Sequence, residues 1–228
     1  MNQLEYRHEY KHGINLLDYH TLRQRIKPIA KIDPNAGPDG RYHIRSLYFD
    51  NDDDKALKEK LYGLPNREKY RIRLYNESGD FIRLEKKSKM SGLCNKQSVA
   101  LTRAQAEQIL AGDTAWMPQT GNALLTEFYG KLCYQRLRPK TLVDYWREAY
   151  IYPYGNVRIT FDSDIRTGGY STGLFERDIP TLSVGESGLL LLEVKYDSFL
   201  PDMIRDLIQT NTRHTEAFSK YAACRIYG

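Results

Sequence analysis

Residues 3 to 16 alternate without a break. Leu4, Tyr6, His8, Tyr10, His12, Ile14 and Leu16 hold the even positions, and Gln3, Glu5, Arg7, Glu9, Lys11, Gly13 and Asn15 hold the odd ones. A period of two predicts a strand with an apolar, aromatic face and a charged face. The same stretch spells His8-Glu9-Tyr10-Lys11-His12, the H-E-x-x-H pattern of zinc peptidases. That motif works only on a helix, where residues four apart share a face and two imidazoles grip one ion. The alternation removes the helix, and Asn15 and Asp18 stand where the extended motif requires Gly and His. His8 and His12 instead fall on the apolar face, where packing against helices is expected.

Four more segments repeat the alternation. In 69–76, Lys69, Arg71 and Arg73 oppose Tyr70, Ile72 and Leu74; in 81–89, Arg83, Glu85, Lys87 and Lys89 oppose Ile82 and Leu84. The turn residues of 76–80 make these two a hairpin. In 157–164, Arg158, Thr160, Asp162 and Asp164 oppose Val157, Ile159 and Phe161, and in 189–196, Glu193 and Lys195 oppose Leu192, Val194 and Tyr196. Helical spacing predicts helices over 16–29, stopped at Pro28, over 101–112 between a Thr cap and Gly112, over 121–137, and over 200–211 with proline in its first turn.

Charge changes the picture. With the first row taken as Arg7, Glu9 and Lys11, the five charged rows hold ten bases and five acids, an excess of five that equals the whole formal net charge, while the remaining chain is balanced at 24 of each. A merely solvated sheet face has no reason to collect the entire excess, and Gln, Ser and Thr are almost missing from the rows. Strands closed into a barrel with these rows inside give a positive lumen, since interior and exterior positions alternate along every barrel strand. Arginine forks and lysine ammoniums in such a lumen suit phosphate oxygens, and the interspersed carboxylates suit a hard divalent cation. The expected fold is therefore α+β: a closed antiparallel tunnel of about eight strands with a charged lumen and helices packed outside.

Composition narrows the class. At 41% hydrophobic and 28% charged the chain is ordinary for a globular protein, no apolar run approaches a membrane span, and no apolar signal core opens it, so a cytoplasmic location is expected. Cys94, Cys133 and Cys224 are widely spaced and odd in number, which reads as packed thiols rather than a zinc site or a disulfide framework. Nucleic acid is disfavoured as a partner, because Tyr10, Tyr70 and Tyr196 lie on faces opposite the charges.

Seven pieces in order, "RHEYK" (7–11), "SLYFDN" (46–51), "KYRIRLYN" (69–76), "LEKKSK" (84–89), "DYWREAY" (144–150), "LLEVKY" (191–196) and "FSKY" (218–221), resemble the VTC domain. That is the polyphosphate polymerase branch of the triphosphate tunnel metalloenzymes, the CYTH-like superfamily. The resemblance implies a single tunnel domain over 1–228 and transfer of the ATP γ-phosphate onto a growing polyphosphate with Mn2+ or Mg2+ bound. It implies Lys11, Arg71, Arg73, Lys87, Arg147, Lys195 and Lys220 as phosphate ligands, with Lys89 and Lys96 as further bases; Arg158 of the charged rows is a further candidate phosphate ligand. Arg71, Arg73, Lys87 and Arg147 would act on the transferring group, and Glu193 would hold the metal with Glu9 and Glu85 as helpers. Arg7 stands where hydrolytic relatives typically carry a first glutamate, which favours the polymerase. Ala217 replaces another base of the family. The alternatives are an inorganic or nucleoside triphosphatase using the same tunnel, and a non-catalytic module that binds polyphosphate or inositol phosphates.

Overall fold

The structure, a computed structural model, describes residues 6–76, 78–91, 93–186, 188–209 and 218–227. Its strands are β1 (Tyr6–Ile14), β2 (Lys31–Ile32), β3 (Arg41–Asp50), β4 (Arg67–Tyr75), β5 (Ser78–Met90), β6 (Leu93–Leu101), β7 (Arg138–Tyr152), β8 (Val157–Thr167), β9 (Leu182–Ser183) and β10 (Leu190–Tyr196). Its α-helices are α1 (Leu16–Ile26), α2 (Lys55–Leu61), α3 (Arg103–Ala111), α4 (Ala123–Tyr134), α5 (Asp202–Leu207) and α6 (Lys220–Tyr227). Hydrogen bonding runs β7-β3-β4-β5-β6-β1-β10-β8, and β8 returns to β7. Every one of these pairings is antiparallel, so eight strands close a barrel, with β2 and β9 as short additions to β7 and β8.

The alternation of the sequence is the alternation of the wall. Leu47, Phe49, Tyr70, Ile72, Leu74, Ile82 and Leu84 point outward and form one core with Ile109 of α3 and Leu125, Phe128 and Leu132 of α4. Ile159, Phe161, Leu192 and Val194 point outward on the far side and pack with Ile14 of β1, Leu22 and Ile26 of α1, and Ile204 of α5. Helix α3 has the punctuation its sequence promised: a Thr102–Gln105 capping box and Gly112 at φ +84, where a residue without Cβ is unstrained. Helix α1 ends at Ile26, short of Pro28, and α4 is trimmed by two or three residues at each end. Helix α5 is shorter than expected, ending at Leu207, and residues 210 and 211 of the expected span lie outside the described residues.

His8 departs from expectation. It is exposed and stacks on the ring of Tyr196 at 5.0 Å, and Tyr10 beside it is 41% exposed. Helix α1 begins two residues after β1 ends and folds back over Ile14, so helical cover reaches the end of the row and not its start. His12, nearer that end, is half-buried. Leu16 left the strand to begin α1 and is exposed.

The last helix differs from the others. Tyr221 of α6 stacks on Tyr48 of β3 at 5.1 Å, and α6 shares a cluster with Tyr42, Ile44, Val143, Tyr145, Ile165 and Leu191. Ile44, Val143 and Leu191 share rows with Tyr48, Arg147 and Glu193, which line the lumen. Helix α6 therefore contributes to the lumen lining. Among the described residues, no helix is long and apolar enough to cross a membrane.

Candidate functional site

The lumen is a cavity of about 960 Å³ that continues into a smaller section of about 300 Å³. The two share Glu9, Lys11, Lys69, Lys87, Cys94 and Ser219. All ten bases of the charged rows line one section or the other, as the parity required. Arg147, Lys96 and Lys220 join them in the larger section, and Lys89 lies in the smaller one beside Lys60 and Arg67.

Five carboxylates, grouped in four nodes, organise these cations. Cross-strand register sets Lys11 opposite Glu193 and Glu9 opposite Lys195, so charges alternate where β1 meets β10. Glu9 pairs with Lys11 at 2.7 Å and with Lys87 at 2.6 Å. Glu193 pairs with Lys195 at 2.5 Å and lies 3.8 Å from Arg147. Burial and the mutual repulsion of the two glutamates would raise the Glu9 carboxyl, but Lys11, Lys87 and Lys195 outweigh them and hold it well below the usual carboxylate range. Burial likewise opposes ionisation of Glu193, and Lys195, Lys11 and Arg147 overcome it.

Glu85 forms a second node. It is 1% exposed and accepts from Arg71 Nε at 2.8 Å, with Lys96 at 2.5 Å and Arg73 at 3.7 Å. These cations override its burial and keep it ionised. Tyrosines finish the positioning: Arg71 donates to the Tyr48 hydroxyl at 2.6 Å, and Arg73 donates to Ser46 Oγ at 3.1 Å and to the Tyr145 hydroxyl at 2.9 Å. Asp162, fully buried, is the third node. It takes the Arg147 fork at 2.6 and 2.7 Å and Lys220 at 2.5 Å. The fourth is Asp33, which holds Arg158 together with the Tyr42 hydroxyl.

The predicted phosphate ligands thus converge on one lumen. Glu9 and Glu193 are neighbours within it, whereas Glu85 is sunk in the wall behind Arg71 and Lys96. Among the described residues, no group of three or more His, Cys, Asp or Glu side chains has metal-binding geometry. Two ionised carboxylates still fit a hard cation that takes its other ligands from phosphate oxygens and water.

Asp164 leaves its row. The register of β7 against β8 shifts between Asp144 and Trp146, and Asp164 adopts φ +46, so the lumen row runs Arg158, Thr160, Asp162 and then Ile165 and Thr167. The bulge turns Asp164 out to solvent, where it pairs with Arg166. Tyr48, Tyr145 and Ser46 were missed because β3 and β7 carry no continuous charged row. Their nearest signal was membership in "SLYFDN" and "DYWREAY". Lys69 was counted in its row without a role. Ala217 lies outside the described residues.

A family model for the VTC domain matches residues 6–226. No curated protein sequence matches the chain. Among solved structures, a Hippeastrum protein described as a "putative adenylyl cyclase" with "a dominant triphosphatase activity" superposes with a TM-score of 0.56 at 12% identity, over 97% of this chain and 96% of that one. A Bacillus halodurans protein described as a "putative adenylate cyclase" gives 0.51 at 14% identity over 90% and 87% of the two chains. A Pyrococcus horikoshii OT3 protein gives 0.50 at 14% identity over 95% and 98%. At these identities the likeness is one of fold.

Proposed function

The chain belongs to the VTC domain family, and from that premise we propose that it is a metal-dependent polyphosphate polymerase, acting as one tunnel unit over 1–228. It moves the γ-phosphate of ATP onto a growing phosphate chain held in the lumen. The observation that carries this reading is the enclosed cavity in which Arg71, Arg73 and Arg147 are already fixed by carboxylates and tyrosine hydroxyls. Phosphoryl transfer requires in-line positioning and neutralisation of spreading charge, and little covalent work from the protein. Prefixed guanidinium forks supply that without reorganising as the reaction proceeds.

Lys11, Lys87, Lys195 and Lys220 bind the chain and hold its phosphates in file, and the wall excludes bulk water that would divert the transfer to hydrolysis. The attacking group is the terminal phosphate of the acceptor, so no Ser, Cys or His nucleophile is called for. Glu193 and Glu9 are the residues that would hold Mn2+ or Mg2+, whose chemistry when bound is neutralisation of charge on phosphate oxygens. Arg7 supports the polymerase over a hydrolase. It pairs with Asp197 at 2.7 Å and donates to the Asn156 carbonyl, and so brings no carboxylate to activate water.

Triphosphatase activity is the second reading, favoured by the printed activity of the Hippeastrum protein. Incubation with ATP and Mn2+, followed by gel separation and polyphosphate staining, decides between them. The polymerase gives a ladder of long chains that drops roughly a hundredfold in Glu193→Gln and in Arg73→Ala. Phosphate released from tripolyphosphate with no ladder establishes the triphosphatase instead.

A further inference from the structure

Most of the lumen cations discussed above are bound to an acid; among the described residues Lys60, Arg67, Arg83 and Lys89 line the lumen without one. Lys11 and Lys87 share Glu9, Lys195 has Glu193, Lys96 and Arg71 have Glu85, Arg147 and Lys220 have Asp162, and Arg158 has Asp33. A phosphate that engages any of these paired cations competes with a carboxylate already in place. Lys69 is different. It lies on β4 where the two cavity sections meet and lines both. Its ammonium sits 5.5 Å from the centre of the Tyr48 ring, and among the described residues no carboxylate pairs with it.

We propose that Lys69 is a further phosphate-binding residue, at the junction of the two cavity sections, and that it gains its proton as the anion arrives. This inference rests on the phosphate-handling reading of the lumen. The groups facing Lys69 are Tyr48 of β3, Arg71 of β4 itself, Lys87 of β5, Lys11 of β1 and, across the smaller section, Lys60 of α2 and Tyr221 of α6. Glu9 and Glu68 both line the smaller section, but Glu9 is committed to Lys11 and Lys87, and Glu68 to Lys86 and Lys131. A buried amine among cations, with no acid of its own, is driven toward its neutral form. Burial chiefly, then repulsion from Lys87, Lys11 and Arg71, brings Lys69 down to about 7 despite a favourable contribution from Tyr48. Tyr48 moves the same way: burial would raise its hydroxyl, but Arg71, Lys69 and Arg73 pull it down to about 7. A phosphate entering the junction supplies the missing negative charge and restores the ammonium.

Calorimetric titration of the intact protein with tripolyphosphate, without metal, at pH 6.5 and 8.5 tests this in wild type, Lys69→Met and Lys69→Arg. The ligand's own ionisation is common to all three, so differences report on residue 69. Wild-type affinity should fall from pH 6.5 to 8.5 by roughly tenfold more than that of Lys69→Arg, whose charge is fixed. Lys69→Met should bind roughly tenfold to a hundredfold more weakly than wild type at pH 6.5. Equal affinities and equal pH slopes in all three proteins overturn the proposal while leaving the phosphate reading intact. No binding by wild type overturns both. If Lys69→Met does not fold, as judged by circular dichroism, the slope of Lys69→Arg against wild type decides alone.

Discussion

Asp162 has no exposed surface, yet it holds three cationic nitrogens: both ends of the Arg147 fork and the Lys220 ammonium. Removing one partner of such a buried group leaves the others uncompensated, a cost of about 3–5 kcal/mol. Asp162→Asn keeps the shape and deletes the charge. Its urea midpoint should drop by that equivalent, and an unchanged midpoint would show that water already compensates the two cations. The same reasoning fixes the acid limit. Glu9, Glu85, Glu193 and Asp162 are all depressed in the folded state, so their contribution is complete above the unfolded carboxylate values near 4 and is lost as pH falls toward the folded values. Melting temperature should hold from pH 7 to about 5 and fall steadily between about 4 and 2. A collapse centred near pH 6 would mean these carboxylates are not the groups that titrate. At this scale the charged rows of β1, β4 and β5 could be read from the sequence, because each residue type was bound to a face by parity. What binds to what could not: nothing local says that Arg71 takes a tyrosine hydroxyl while Lys69 is left without an acid.

Elements add constraints that parity cannot see. Strand β8 reads as one continuous charged row, but its bulge changes the facing residue after Asp162, and one extra residue is invisible to a period-two count. Strands β3 and β7 are long and central yet show no clean alternation. Their lumen rows carry Ile44, Val143 and Tyr145 because α6 covers that part of the lumen, so both faces of each strand are apolar in places. Helix α6 is in turn held by α2. Asp50 caps the α2 N-terminus through the amides of Ala56 and Leu57 and accepts from the Tyr221 hydroxyl at 2.6 Å, and Arg225 reaches Asp54 at 2.7 Å. Asp50→Ala removes a cap and orphans a buried phenol, together about 2–4 kcal/mol. Because α6 carries Lys220, tripolyphosphate affinity should fall in the same variant. A loss of stability with unchanged affinity would mean that α6 keeps its place without Asp50.

At the scale of the whole molecule, ten bases face one another across a closed lumen against only part of the charge needed to balance them. Self-repulsion of this kind lowers the stability of the empty barrel, and a polyanion relieves it by binding the folded state alone. At a hundredfold excess over its dissociation constant, a ligand adds about 2.7 kcal/mol. For a chain of this size that corresponds to a rise of roughly 5–10 °C in melting temperature. Tripolyphosphate should produce it without metal, since the cations are in place before any metal binds, and added salt should shrink it by screening the lumen entrance. Inorganic phosphate, with one group to span the lumen, should give a smaller rise at equal concentration. The measurement is a thermal melt at pH 7 with each anion in low and high salt. Equal shifts from phosphate and tripolyphosphate would mean that the cations act as separate surface sites. A shift that grows with chain length requires that they act along one path, which is the arrangement the barrel's register builds.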